Sequence, residues 1–330
     1  AISAIQEAMH LYFSDEESFM AEYQNDPLVS RQDAKKLNAD QIASKITGNT
    51  RYVVPVGLHA LTAFIDVHDR ILYYAVMAWG DGFTGAVIDY GSTPNQIKPY
   101  FHHTDANPGL DNVYEDADLG GQMYQGAIDT INLLCSRKYD GADGAQYSIR
   151  QLLIDAGYQL GEKVIYQACR DTTHTAVVNP SRGHGLKASS RPMSEWRKDR
   201  GDVYGTHWRW KTISNHGVRE LTIDTNYWKS HFHNGLASAI GDPGAISLYN
   251  ASTNTHKMFS DHLSIEAAKT DEANGRELIV WKNPPGGDNH FFDCAVGCMV
   301  AASTLGISST GQQTPKRKSK KRRKPTGAWA

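Results

Sequence analysis

Residues 61–70, LTAFIDVHDR, decide how the rest of the chain is read. An apolar run from Leu61 to Ile65 closes on a carboxylate, Asp66, and a short polar turn follows at residues 68–70. Residues 71–79, ILYYAVMAW, then form a second β-type run, so the two segments predict a hairpin. A strand this apolar is largely buried, yet it carries Asp66 at or near its end. Burying a lone carboxylate is costly unless something compensates it, and a divalent cation is an effective compensator.

Outward from the hairpin, residues 85–90 supply a third strand after the glycine-containing turn at 81–83. Residues 119–135 have helical spacing at Met123, Ile128, Ile131 and Leu134. After the glycine-rich loop 140–144, residues 151–154 form a strand, 161–170 a helix and 176–178 another strand. A strand at 278–281 leads through a turn into a closing helix over 291–305. Three antiparallel strands, a helix, a strand-helix-strand unit and a last helix predict an α/β fold: a ribonuclease H-like mixed sheet flanked by helices, over residues 53–306. Residues 1–52 read as a helical connector, and 183–260, rich in Gly, Ser, Trp and His, as a β-rich insertion containing strands near 207–213 and 219–223.

Asp155 repeats the arrangement of Asp66, following Leu152, Leu153 and Ile154. Strands that both end in apolar-apolar-Asp can place two acids at one sheet edge if they are neighbours. Asp293 opens the closing helix and faces Gly297 one turn on, where a small residue leaves room beside the carboxylate. Three oxygen donors suit Mg²⁺ or Mn²⁺, and two such ions about 4 Å apart can activate water and stabilise the leaving oxygen in phosphodiester hydrolysis. An Asp after a strand is also an ordinary turn former or helix cap, so the conjunction of three carries more weight than any one. Asp69 fits the hairpin turn, and Asp89 an exposed strand position. His68 and His290 each neighbour a candidate ligand, which suits them either to orienting water or phosphate or, equally, to a structural hydrogen bond. The pairs His102 with His103 and His231 with His233 lack helical zinc-site spacing and read as solvated or hydrogen-bonding side chains.

Net charge is −2, but eight Lys and Arg between Lys316 and Lys324 leave about −10 for the remainder. Residues 307–330 therefore read as a disordered basic tail, suited to phosphates or an acidic partner and equally to a merely solubilising end. Within the insertion, Lys187, Arg191, Arg197, Lys198, Arg200, Arg209 and Lys211 interleave with Trp196, Trp208 and Trp210, a mixture suited to a DNA backbone. The tryptophans equally suit packing of the insertion onto the main sheet. The four cysteines, without CxxC pairing, read as reduced thiols inside helices. No apolar run approaches membrane-spanning length and no signal segment opens the chain, which predicts a cytoplasmic protein without a membrane partner.

The ordered motifs resemble the nuclease domain of the large subunit of the tailed-phage DNA-packaging terminase, in the lambda-like family. They are Val54-Pro55, LTAFIDVHDR at 61–70, Ala78-Trp79-Gly80, VIDYG at 87–91, LIDAG at 153–157, DTNYWK at 224–229, HLSIE at 262–266, NHFFDC at 289–294 and Ala301-Ala302. The resemblance implies an endonuclease that trims concatemeric viral DNA, with metal-binding aspartates at Asp66, Asp155 and Asp293 and Gln as the family's common residue at the place of His68. It implies double-stranded DNA as substrate, a terminase small subunit and a portal as partners, and the host cytoplasm as location. Lys229, in the DTNYWK motif, joins the expected DNA-binding cations. The family carries an ATPase motor ahead of the nuclease, whereas this chain has no GxxxxGK[ST] loop, so no motor activity is expected of it. A transposase or resolvase of the same fold would share the carboxylates, and a packaging adaptor would bind DNA or the portal without cutting.

Overall fold

The computed structural model describes residues 37–158 and 161–309. Most of the expected connector and all of the basic run from Lys316 lie outside them. The first described elements are the helix α1 (Ala39–Ala43), capped by the Asn38 side chain on the Gln41 amide, and the strands β1 (Val53–Val54), β2 (Ala60–Val67), β3 (Leu72–Trp79) and β4 (Gly85–Thr93). Next come the helices α2 (Leu110–Val113) and α3 (Leu119–Ser136), then β5 (Tyr139–Gly141), β6 (Gln146–Tyr147), β7 (Gln151–Asp155), helix α4 (Glu162–Asp171) and β8 (Val178–His184). The strands β9 (Val203–Gly205), β10 (Trp208–Ile213) and β11 (Val218–Asp224) precede helix α5 (Thr225–Ala237). The chain continues through β12 (Ile246–Leu248), helix α6 (Lys257–Ser264), β13 (Ala267–Ala273) and β14 (Arg276–Lys282) into helix α7 (His290–Thr304).

The predicted hairpin is present: β2 and β3 pair antiparallel from Ala60↔Trp79 to Val67↔Leu72, and every residue of both is buried. They lie near the middle of a nine-stranded sheet in the order β12-β4-β3-β2-β7-β8-β11-β10-β9. β4, β3 and β2 run antiparallel, whereas β2, β7, β8 and β11 are mutually parallel. This is the expected ribonuclease H-like mixed sheet. Alternation along each strand splits the core in two. Phe64, Tyr73, Ala75 and Leu153 pack with α5, α6 and α7 on one face. Ala63, Ile65, Leu152 and Ile154 pack with α3 and α4 on the other. Covering both faces explains why the strand sequences are almost continuously apolar.

Three expectations change in detail. Residues 183–260 do contain β strands, but β9, β10 and β11 extend the main sheet, and α5 packs on it; Trp208 and Trp210 are core residues, each 7% exposed. The parallel pairing of β11 with β8 absorbs the segment, because its buried positions Leu221 and Ile223 continue the same apolar face. The strand near 278–281 is β14, which pairs with β13 in a separate two-stranded sheet. Asp89, expected in an exposed position, is fully buried, because Arg51 and Arg137 reach it with ion pairs of 2.7 and 3.2 Å. The cysteines are all free and lie in α3, α4 and α7. Among the described residues, no helix is long and apolar enough to cross a membrane.

Candidate active site

Because β2, β7, β8 and β11 are parallel, their C-terminal ends share one sheet edge. The register Ile65↔Ile154 sets Asp66 beside Asp155, and two-residue alternation turns them to the face of Phe64 and Leu153, the face that α7 covers. Helix α7 brings Asp293 there in its first turn. The close approach depends on Gly297, where an added Cβ would meet the Phe64 ring at 1.9 Å. The space expected beside Gly297 is thus occupied by Phe64, and the open volume lies next to it. A cleft of about 300 Å³ is lined by Asp66, Asp155, Asp293, Lys229, Ser181 and Thr225, among others.

Asp66 is 6% exposed. One of its oxygens, Oδ2, meets His68 Nε2 at 2.9 Å and His290 Nδ1 at 3.0 Å. Burial opposes ionisation of Asp66, but the two imidazoles outweigh it and hold the carboxyl well below the usual range. Burial likewise works against protonated His68, and Asp66 overrides it, raising the imidazole to about 9. Asp155 is pushed up to about 7 by burial and then by Asp66, while the Gly157 amide, donating at 3.0 Å, pulls the other way. Burial also raises Asp293, with Lys229 opposing and Asp66 and Glu266 adding to the rise.

Lys229 lies between two acids. Expected as a DNA-binding cation, it is 8% exposed, reaches Asp293 Oδ1 at 2.8 Å and is paired with Glu266. The difference arises because α5 packs under α7, which turns this face of DTNYWK inward, although Lys229 still lines the cleft. Asn289 ties the group together, donating to Glu266 at 2.6 Å and to Asp293 Oδ2 at 2.9 Å. Sequence reading assigned Glu266 and Asn289 no role. Both sit in motifs quoted above, but neither follows an apolar strand, so only tertiary contact distinguishes them.

The donor set fits divalent cations. Three carboxylates line one cleft, two are pushed up by burial and mutual repulsion, and bound positive charge would relieve both. Of the other expected DNA contacts, Lys187, Arg191, Arg197, Lys198, Arg200 and Lys211 are exposed. Arg209 is partly buried, held near Asp202 at 3.7 Å and over the Trp196 ring at 5.1 Å. His102 contacts Asp288 at 3.3 Å, as a hydrogen-bonding histidine should, and His231 packs on Phe83 with ring centroids 5.0 Å apart.

Fold and cleft together define a ribonuclease H-like domain with its acids at the shared edge of parallel strands. The profile of the terminase large subunit gpA endonuclease domain matches residues 16–315, and the chain belongs to this family of phage DNA-packaging nucleases. The match begins inside the segment expected as a connector and ends before Lys316. Among solved structures, the nuclease domain of the large terminase subunit gp2 of bacterial virus Sf6, a point mutant with manganese, overlaps 80% of this chain and 99% of its own, at 12% identity and a TM-score of 0.41. No curated protein matches the chain.

Proposed function

We propose that this chain cuts concatemeric double-stranded viral DNA during genome packaging, as a metal-dependent endonuclease using two Mg²⁺ or Mn²⁺ ions held by Asp66, Asp155 and Asp293. The observation that carries this reading is the placement of Asp66 beside Asp155, under Asp293, in one cleft. When bound, the cations would supply Lewis-acid activation of water and charge neutralisation at the scissile phosphate. Asp66 and Asp155, on neighbouring strands, set the spacing of the donors, and strands hold it more tightly than loops would. Lys229 keeps positive charge at the cleft wall, where a phosphate oxygen would sit. The exposed cations from Lys187 to Lys211 would hold the backbone without reading sequence. In hydrolysis a water oxygen bonds to phosphorus, the bond to the leaving sugar oxygen breaks, and that oxygen takes up a proton. A terminase small subunit and a portal are the proposed protein partners, in the host cytoplasm.

The test is nicking of supercoiled plasmid with Mn²⁺, comparing the native chain with Asp66→Asn, Asp155→Asn and Asp293→Asn. Loss of nicking in each variant, with unchanged circular dichroism, is the expected result. Native cutting rates in all three would overturn the assignment. DNA binding without any nicking would instead point to an adaptor, and strong preference for branched DNA to a resolvase.

A further inference from the structure

The carboxylates are not the only donors at Asp66. His68 follows it by two residues on the same chain segment, and His290 reaches it from the first residue of α7. Among the described residues, Asp66, His68 and His290 bring one ligand atom each within 4.8 Å of one another. Both ring nitrogens approach the same oxygen, Oδ2, at 2.9 and 3.0 Å. Two donors about 2.1 Å from one cation, at a right angle, lie about 3.0 Å apart, so each nitrogen–oxygen separation suits adjacent positions around a single ion as well as it suits a hydrogen bond. The His290 ring is also oriented as a ligand would be. It stacks on Tyr73 at 4.4 Å, and its other nitrogen, Nε2, lies 3.6 Å from Asp288 Oδ1. A carboxylate behind the far nitrogen is the usual support of a metal-bound histidine, and although 3.6 Å is longer than a hydrogen bond, Asp288 places its negative charge on that side of the ring. Asp288 is itself held by the His103 amide at 3.0 Å.

We infer that Asp66, His68 and His290 form a two-nitrogen, one-oxygen site beside this cleft, sharing Asp66 with it, so that a cation there is bound through imidazole and is a transition metal ion rather than Mg²⁺. This deepens the nuclease reading and rests on it for the cleft's purpose, but the ligation itself can be measured separately. The chemistry follows from donor softness. Mg²⁺ takes oxygen ligands and keeps its waters, whereas imidazole nitrogen favours ions later in the first transition row. Affinity should therefore rise from Mg²⁺ through Mn²⁺ to Zn²⁺. Asp66 then has two roles, since it faces the imidazoles on one side and shares the cleft with Asp155 and Asp293 on the other.

The experiment is electron spin-echo spectroscopy of Mn²⁺ added to the full chain, with Mn²⁺, Zn²⁺ and Mg²⁺ titrations by calorimetry. Modulation from directly bound nitrogen is expected in the native chain. It should weaken in His68→Gln and in His290→Asn and vanish in the double variant, while Mn²⁺ affinity falls at least about tenfold per histidine and Mg²⁺ affinity changes little. Circular dichroism of each variant separates lost ligation from lost folding; His68, with a quarter of its side chain exposed, is the milder change. Absence of nitrogen modulation in the native chain, or modulation that persists in the double variant, overturns the inference. Nicking without nitrogen ligation would leave the nuclease reading standing and remove this one. Nitrogen ligation without nicking would do the reverse.

Discussion

Lys229 is the residue whose surroundings differ most from its sequence setting. Its ammonium is buried between Asp293 and Glu266, and both acids depend on it for neutralisation. Replacing it by methionine strands two carboxylates, so Lys229→Met should lower unfolding stability by about 3–5 kcal/mol, read in urea titration. The double change Lys229→Met with Glu266→Gln should recover part of that loss, because one stranded charge has gone. Equal stability of the native chain and the single variant would show that the pair is not buried as described. His231 supports a pH prediction. Burial near Phe83 and Trp228 depresses it to about 4, so it is neutral when folded at neutral pH. A histidine with a depressed folded pKa contributes its full share above the unfolded value near 6.5 and loses it progressively as pH falls toward 4. Stability should therefore decline between pH 6.5 and 4, and His231→Gln should flatten that decline in thermal melts taken across the range.

Helix α7 is the element that makes the cleft. It lies across β2 at a distance that Gly297 permits, since any Cβ there would penetrate the Phe64 ring. Gly297→Ala should push the helix outward at a cost of about 1–3 kcal/mol and carry Asp293 away from Asp66. The expected outcome is reduced nicking with a lowered melting temperature, and Phe64→Leu in the same chain should restore part of both. Unchanged nicking and melting would mean that the helix approach is not set by this contact. Strands β2 and β7 need no such device, because parallel pairing with Ile65 opposite Ile154 already brings Asp66 and Asp155 together.

Over the whole molecule, charge is divided between an acidic cleft and exposed cations. The eight basic residues between Lys316 and Lys324 lie beyond the residues matched by the family profile. If they neutralise phosphates, truncation after residue 315 should weaken DNA affinity and reduce the salt slope of log affinity by about 0.9 per lost contact, as fluorescence anisotropy across a salt series would measure. Under the proposed function, nicking should persist in the truncated chain at low salt. An unaltered slope would assign the tail to something other than DNA.

By itself, the amino-acid order determined the hairpin, the main strands and helices through β8, the closing helix, and three aspartates as site candidates, but not helices α5 and α6, which lie in the stretch read as β-rich. Apolar periodicity is local, and an acid ending a buried run stands out within five or six residues. The positions of Asp89 and Lys229, the membership of β9 to β11 in the main sheet, and the contact of His68 and His290 with one oxygen of Asp66 were decided by the tertiary structure. Apart from His68, two residues from Asp66, these depend on partners far apart in the chain: Arg51 and Arg137 for Asp89, Glu266 for Lys229, and a helix 224 residues on for Asp66. Whether a charged side chain is solvated or buried depends on what packs against it, and that is settled only when the sheet has closed under its helices.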